Sequence, residues 1–374
     1  GLRSIMRIGR GGEQQVSYAC VTTETYRHFG RLGLGAVFGS KGLKALAICG
    51  KRSLPVADRR AYRQTYDELF EAVTKTTLMK KYHDLGTPMN VLPLNTIGAL
   101  PTRNLQSGRF EGAESISGER LAEDYLGRRV ACAHCPTACI HLAALRIPYR
   151  NDPYFYKTLM LGYDHELIYA MGSMLGVQDV SGMLQLIDEA EIQGLDVMST
   201  GVALAWATEA LERGLISSQD TDGLSLTWGE AATYIQAVKR IVSQPTDLYA
   251  ALARGVDHAA SVYGGEDFAL AFGGNEMPGY HTGPGSHLGY LTGARHSHLD
   301  SAGYSLDQNA ARSGEPLTPQ GVAESLLAEE RWRQVLTSLP ICLFARGIYT
   351  PEVVLKALST LGIEWTTEDL SLIH

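Results

Sequence analysis

Cys132, Cys135 and Cys139 form a C-x2-C-x3-C run within Cys132-Ala133-His134-Cys135-Pro136-Thr137-Ala138-Cys139. A loop this tight can turn three thiolates toward one metal centre, and soft sulfur ligands suit zinc or an iron–sulfur cluster. Cys342 is the one cysteine in the second half of the chain and the natural fourth ligand. A zinc knot stands as the alternative, although two C-x2-C pairs would be its usual mark. Cys20 and Cys49 lie in apolar, strand-like contexts, and the expectation for both is a small buried hydrophobe.

Two further stretches could meet a ligand. Between Tyr26 and Lys41, Gly30, Gly33, Gly35 and Gly39 interleave with apolar residues and with Arg27 and Arg31. Such a run lets backbone pass close to a bound group and offers N–H groups to phosphate. Its spacing is neither a Walker loop nor a dinucleotide fingerprint, and a tightly packed strand–turn–helix with solvent arginines reads equally well. The second stretch, Ala271 to Tyr304, is glycine-rich and carries His281, His287, His296 and His298. Loops of that kind between helices tend to line sites, because a core loop would strand its polar backbone.

The elements that must position these residues fall into two kinds. Residues 3–21 look β-rich, with Val16, Tyr18 and Cys20 alternating, and Leu43 to Cys49 reads as a short buried strand. From Asp58 the pattern is helical: Tyr62, Tyr66, Leu69, Phe70, Val73 and Leu78 recur at helical spacing, so a boundary falls near residue 55. Pro88 to Arg109 reads as loop, and Ser117 to Leu126 as a short helix. Helices are then expected over Tyr163–Gly176, Val180–Gly194, Ser199–Arg213, Trp228–Ile241, Tyr249–Tyr263 and Pro319–Leu339, with Gly194 a natural stop. The fold class is mostly α, with two helical domains preceded by the last β-strands of a β-rich domain. The expected divisions are 1–54, 55–245 and 246–374.

With 374 residues, 45% hydrophobic and 20% charged, the chain can bury a substantial core, and a formal net charge of −7 gives no footing for nucleic acid. No apolar run is long enough for a bilayer span, and no basic–apolar–small pattern opens the chain, so a cytoplasmic protein with no membrane partner is the expectation.

Six blocks together resemble the aldehyde ferredoxin oxidoreductase family, enzymes that hold tungsten on two pterins beside a 4Fe-4S cluster. They are Gly30 to Ala45, the cysteine triplet, Gly162-Tyr163-Asp164-His165-Glu166, Gln193 to Gly201, Glu276-Met277-Pro278 and Leu339-Pro340-Ile341-Cys342, all in the family's order. The resemblance implies that Cys132, Cys135, Cys139 and Cys342 hold the cluster. It implies that Arg27 and Arg31 meet the pterin phosphates, which a Mg ion can bridge, and that Glu191 and Asp196 accept from pterin N–H groups. Where the family has Asp-x-x-Gly-Leu-Cys, this chain has Thr337-Ser338-Leu339-Pro340-Ile341-Cys342. Ile341 thus takes the place at the cofactor beside the late cysteine, and Thr337 replaces an Asp that would accept from a pterin amino group.

For the chemistry, the resemblance implies Glu166 as a general base with a raised pKa and His298 as hydrogen-bond partner of the substrate oxygen, with His296 its competitor. The implied reaction is oxidation of a small aldehyde to the acid at a tungsten, or molybdenum, bis-pterin, with electrons passing through the 4Fe-4S cluster to ferredoxin or a similar carrier. A homodimer or an accessory iron–sulfur subunit fits the same resemblance. The alternatives are a tungsten subunit of a benzoyl-CoA-reductase-like enzyme, and a non-catalytic helical iron–sulfur protein. Set against the family, residues 1–50 match only the end of the N-terminal cofactor-binding domain, and the C-terminal tail is missing. The expectation is a fragment, inactive alone, that binds cofactor poorly unless another polypeptide supplies the rest.

Overall fold

The structure, a computed structural model, describes residues 3–23 and 26–372. The protein is mostly helical, with three small sheets among the described residues. β1 (Arg3–Ile8) leads into the single turn α1 (Arg10–Glu13), then β2 (Val21–Thr23), β3 (His28–Phe29), α2 (Leu34–Ser40) and β4 (Ala45–Cys49). The four strands form an antiparallel sheet ordered β3-β2-β1-β4. α2 lies so close on α1 that a Cβ at Gly39 would stand 1.8 Å from the Gly12 carbonyl oxygen. Part of the glycine run therefore serves backbone packing.

Two sequence expectations change here. Val16, Tyr18, Ala19 and Cys20 are buried, but residues 16–20 are not a strand. Their amides go sideways, Ser17 N–H to the Ala253 carbonyl and Cys20 N–H to the Gly194 carbonyl, so they plug into neighbouring helix ends instead of a ladder. β4 is exposed, not buried, because it is the outer strand of its sheet and no other described segment covers it. Cys20 is buried as expected, whereas Cys49 is exposed with its strand.

α3 (Arg59–Lys75) starts where the Asp58 carboxylate accepts from the amides of Arg60 and Ala61, both at 2.9 Å. Tyr62, Tyr66 and Phe70 on it are exposed, and only Thr65 and Val73 are buried. α4 (Thr77–Asp84) follows, and the stretch expected as loop holds a 3₁₀ turn and α5 (Val91–Thr96) before α6 (Gly118–Asp124). Next comes a sheet that helical periodicity did not disclose: β5 (Leu126–Val130), β6 (Ile140–Tyr149) and β7 (Asp152–Tyr163), antiparallel in sequence order. Tyr163 thus ends a strand, and the helix α7 (His165–Met171) begins after it.

α8 (Val180–Gln193) stops at Gly194, which is left-handed at φ 73°. α9 (Val197–Glu212) is buried from Val197 through Ala210, apolar nearly all round, as a central helix must be. Each fully buried Leu, Val or Met side chain there contributes about 1.5–3 kcal/mol. α10 (Ala231–Ser243) packs on α8; α11 (Asp247–Leu252) and α12 (Val256–Tyr263) replace one expected helix, broken at Gly255. One contiguous apolar core runs from Val16 to Tyr280 around α9.

The histidine-rich stretch is only partly loop. It contains the short hairpin β8 (Ala271–Phe272) and β9 (Asn275–Glu276), then α13 (Pro284–Thr292), α14 (His298–Ser301) and the start of α15 (Gly303–Ser313). α16 (Pro319–Ser338), α17 (Pro351–Ser359) and α18 (Thr367–Ser371) build a second, smaller core on Val335, Leu336, Val354 and Leu370. Among the described residues no helix is long and apolar enough to cross a membrane.

Candidate functional site

A cavity of about 1580 Å³ opens between the first sheet, the β7–α7 junction, the α8–α9 junction and the 295–346 region. Its wall carries Arg27, Arg31, Asp164, Glu166, Glu191, Asp196, Tyr280 and His298.

α7 presents Glu166. Asp164 caps that helix, its Oδ1 accepting from the Leu167 amide at 3.1 Å, which places Glu166 in the first turn. On the facing side Ser297 caps α14 and puts His298 at its first position. His298 Nε2 lies 3.2 Å from Glu166 Oε1, and the Tyr280 hydroxyl donates to the same oxygen at 2.9 Å. His298 Nδ1 is buried with no hydrogen-bond partner among the described residues.

The expectation of a raised Glu166 pKa is overturned. Burial alone would raise it, but the hydrogen bond and charge of His298 outweigh burial and hold the carboxyl well below its ordinary range. The raised carboxyl is Asp164, pushed up to about 7 by burial and then by the Glu166 charge. Tyr280 is missing from the sequence reading, since one tyrosine in a glycine-rich run carries no signal of its own. Its ring lies 4.6 Å from that of His165 and 5.1 Å from that of His298. His296 turns elsewhere, Nδ1 to the Tyr290 carbonyl at 2.8 Å, and does not line the cavity.

Across the cavity Asp196 caps α9, Oδ2 accepting from the Ser199 amide at 2.9 Å, and Arg31 Nε stands 3.5 Å from the same oxygen. Arg31 also donates to the Glu276 carbonyl. Glu191 pairs with His28 Nε2 at 2.7 Å, a partner the sequence reading did not name. Burial works to lower the His28 pKa, but Glu191 wins and raises it. Arg31 Nη1, Arg295 Nη2 and Arg333 Nη2 are buried without a partner among the described residues, and all three side chains line the cavity. Buried, unpaired guanidinium nitrogens cost free energy unless an anion meets them, so this wall fits a phosphate-bearing group. Arg27 turns to the cysteine loop and hydrogen-bonds the Cys132 thiol. Ile341 packs in the second core and Thr337 donates back to the Arg333 and Gln334 carbonyls; neither lines the cavity.

The triplet sits in the loop between β5 and β6, so the unforeseen sheet is what presents it. His134 and Ala138 take left-handed backbone, at φ 61° and 51°, to wind the loop. Burial first pushes the Cys139 thiol up to about 11, and Cys342, Cys132 and Cys135 add to it against the pull of Arg27. Cys342 is raised too, by burial and by Cys135. The four free thiols thus share one neighbourhood. No three His, Cys, Asp or Glu side chains among the described residues form a ready site for a single metal ion.

Fold and site together define a helical protein built around one large cofactor-sized cavity with a cysteine loop at its wall. The chain belongs to the aldehyde ferredoxin oxidoreductase family: the model of the family's N-terminal domain matches residues 2–50, and that of its domains 2 and 3 matches residues 64–373. It is 29% identical over 380 residues to the tungsten-containing aldehyde ferredoxin oxidoreductase of Thermococcus kodakarensis, covering 98% of this chain and 60% of the relative. The Pyrococcus horikoshii protein of that name is 32% identical over 302 residues, covering 78% of this chain and 47% of the relative. The chain therefore spans about 60% of the length of the first relatives it matches. In fold it is similar to the active-site complex BamBC of benzoyl coenzyme A reductase, with a TM-score of 0.77 and 19% identity over 99% of this chain and 63% of the other.

Proposed function

We propose that this chain carries the site of an oxidoreductase that converts an aldehyde and water to the carboxylic acid, releasing two electrons and two protons. The observation that carries the reading is the meeting of Glu166, His298 and Tyr280 on one wall of a cavity whose other wall holds arginines with guanidinium nitrogens that no described residue partners. The cationic wall and the carboxylates Glu191 and Asp196 would hold a tungsten, or molybdenum, bis-pterin, by its phosphates and its N–H groups respectively. When bound, that group supplies the two-electron acceptor and the Lewis acid. Four thiols that share a neighbourhood without closing on one ion suit a 4Fe-4S cluster better than a single zinc. Electrons would leave through it to ferredoxin or an accessory iron–sulfur subunit.

The side chains then divide the proton work differently from the sequence expectation. Glu166, held ionised, is a weak base; it orients His298 through Nε2. When the imidazole is neutral and Nε2–H donates to Glu166, His298 Nδ1, unpartnered, is the atom that can take a proton from the adding water, and the Glu166 carboxylate then stabilises the imidazolium. Tyr280 fixes the carboxylate from the other side. A protein carrying a cluster alone would need none of these three, nor Arg31.

The test is elemental analysis of the anaerobically purified protein, joined to aldehyde-dependent dye reduction. Tungsten or molybdenum with about four irons per chain is expected. His298→Ala should lower turnover by about a hundredfold or more, the usual range for a lost acid–base group. Iron without either heavier metal, or an unchanged rate in His298→Ala, would sink the proposal.

A further inference from the structure

The two sources of cluster ligands, the triplet loop and Cys342, lie far apart in the chain, and something must hold them in register. We propose that α4 is that strap, with His83 and Tyr82 as positioning residues; the inference rests on the cluster reading above. Toward the loop, His83 Nδ1 donates to the Thr137 carbonyl at 2.7 Å, in the turn between Cys135 and Cys139. The carbonyl of His83 in turn accepts from Arg129 Nε at 2.9 Å and meets His141 Nε2 at 3.0 Å, and Arg129 Nη2 reaches the Asp84 carbonyl at 3.3 Å. These are the last carbonyls of α4, which a helix leaves unpaired and which favour cationic donors. His141 Nδ1 lies 3.1 Å from the Cys139 carbonyl, so the same imidazole spans from the helix end to a cluster cysteine.

The fit leaves no slack. Gly86, one turn on, has φ 69°, and a Cβ there would stand 2.8 Å from His141 Nδ1. Toward the other ligand, the Tyr82 ring stacks on Phe344, two residues past Cys342, with centroids 4.3 Å apart and planes at 12°. Cys342 is followed by a single 3₁₀ turn, Leu343–Ala345, which carries Phe344 and so ties the ligand's segment to α4. Consecutive residues of one short helix thus touch both halves of the ligand set. Nothing in residue type or spacing marked Tyr82 or His83.

The experiment is anaerobic iron–sulfide loading of the whole chain, followed by iron release to a chelator and by the electron paramagnetic resonance spectrum of the reduced cluster. His83→Ala and Tyr82→Ala should each release iron about tenfold faster or more, as lost outer-shell partners do, with an altered spectrum. His83→Asn, which can still donate to the Thr137 carbonyl, and Tyr82→Phe, which keeps the stack, should restore wild-type behaviour. Circular dichroism of the iron-free variants should match wild type. Wild-type release and spectrum in His83→Ala, or His83→Asn behaving as badly as Ala, overturns the strap. A wild-type chain that takes up no iron overturns the cluster reading itself and the strap with it. If Tyr82→Ala does not fold, the His83 pair carries the test.

Discussion

Asp164 and Glu166 are two residues apart, line the same cavity and are driven in opposite directions. Glu166 has two partners on one oxygen, His298 and Tyr280; Asp164 has burial, a like charge and a single helix amide. A carboxyl whose pKa is raised on folding costs stability once pH passes its ordinary value, here 3.8, and the cost is complete above about 7. Asn at this position can still cap α7. The expected outcome for Asp164→Asn is a melting temperature equal to wild type near pH 4 and rising relative to it as pH approaches 7. The gain should be of the order of a few kcal/mol. Thermal melts of both proteins across that window check it, and a flat difference would show that Asp164 keeps an ordinary pKa. This division is not legible in Tyr-Asp-His-Glu, which shows two acids; only His298, more than a hundred residues on, decides which of them ionises.

At the scale of elements, what could be read was what repeats locally. The periodicity of α8, α9 and α16 set their limits to within a few residues, down to Gly194 as the stop of α8, whereas the pattern from Asp58 to Leu78 runs across the break between α3 and α4. The β5–β7 sheet was hidden because the cysteine loop interrupts it and because the apolar end of β7 and the apolar residues of α7 are separated only by Asp164-His165-Glu166, with no glycine or proline between them to mark the change. β4 has the unbroken apolar run of a buried strand, yet its burial depends on a neighbour the strand cannot specify. One element has two jobs that can be separated. Asp196 caps α9 and stands 3.5 Å from Arg31 Nε in the cavity wall. Asp196→Ala should cost about 1 kcal/mol in urea unfolding through the lost cap, and Asp196→Asn only a few tenths, since Asn caps as well as Asp. Both should lose pterin affinity if the charge, not the cap, recognises the ligand. An Asn variant as unstable as the Ala variant would mean that the Arg31 contact, rather than the cap, is what stabilises α9.

For the whole molecule, the cavity is closed by parts that no single core unites. Arg31 belongs to the turn between β3 and α2, Arg295 to the turn before α14, and Arg333 to α16, beside the second, smaller core. Each guanidinium meets one carboxylate through Nε, Asp196, Asp300 and Glu329 respectively, which leaves Arg31 Nη1, Arg295 Nη2 and Arg333 Nη2 buried without a partner among the described residues. An anion bridging them would tie these regions to one another, so its effect should appear in global unfolding and not only at the site. Inorganic pyrophosphate is the simplest probe with the right charge and size. At a hundredfold excess over its dissociation constant it should stabilise the protein by about 2.7 kcal/mol. Because exposed charges are screened and buried ones are not, the shift should survive moderate salt, unlike binding to surface lysines. Arg31→Gln should abolish most of it while leaving the melting temperature without pyrophosphate within a few degrees of wild type. A shift that vanishes in salt, or that Arg31→Gln retains in full, would mean that the cationic wall is not what this cavity uses to hold its ligand.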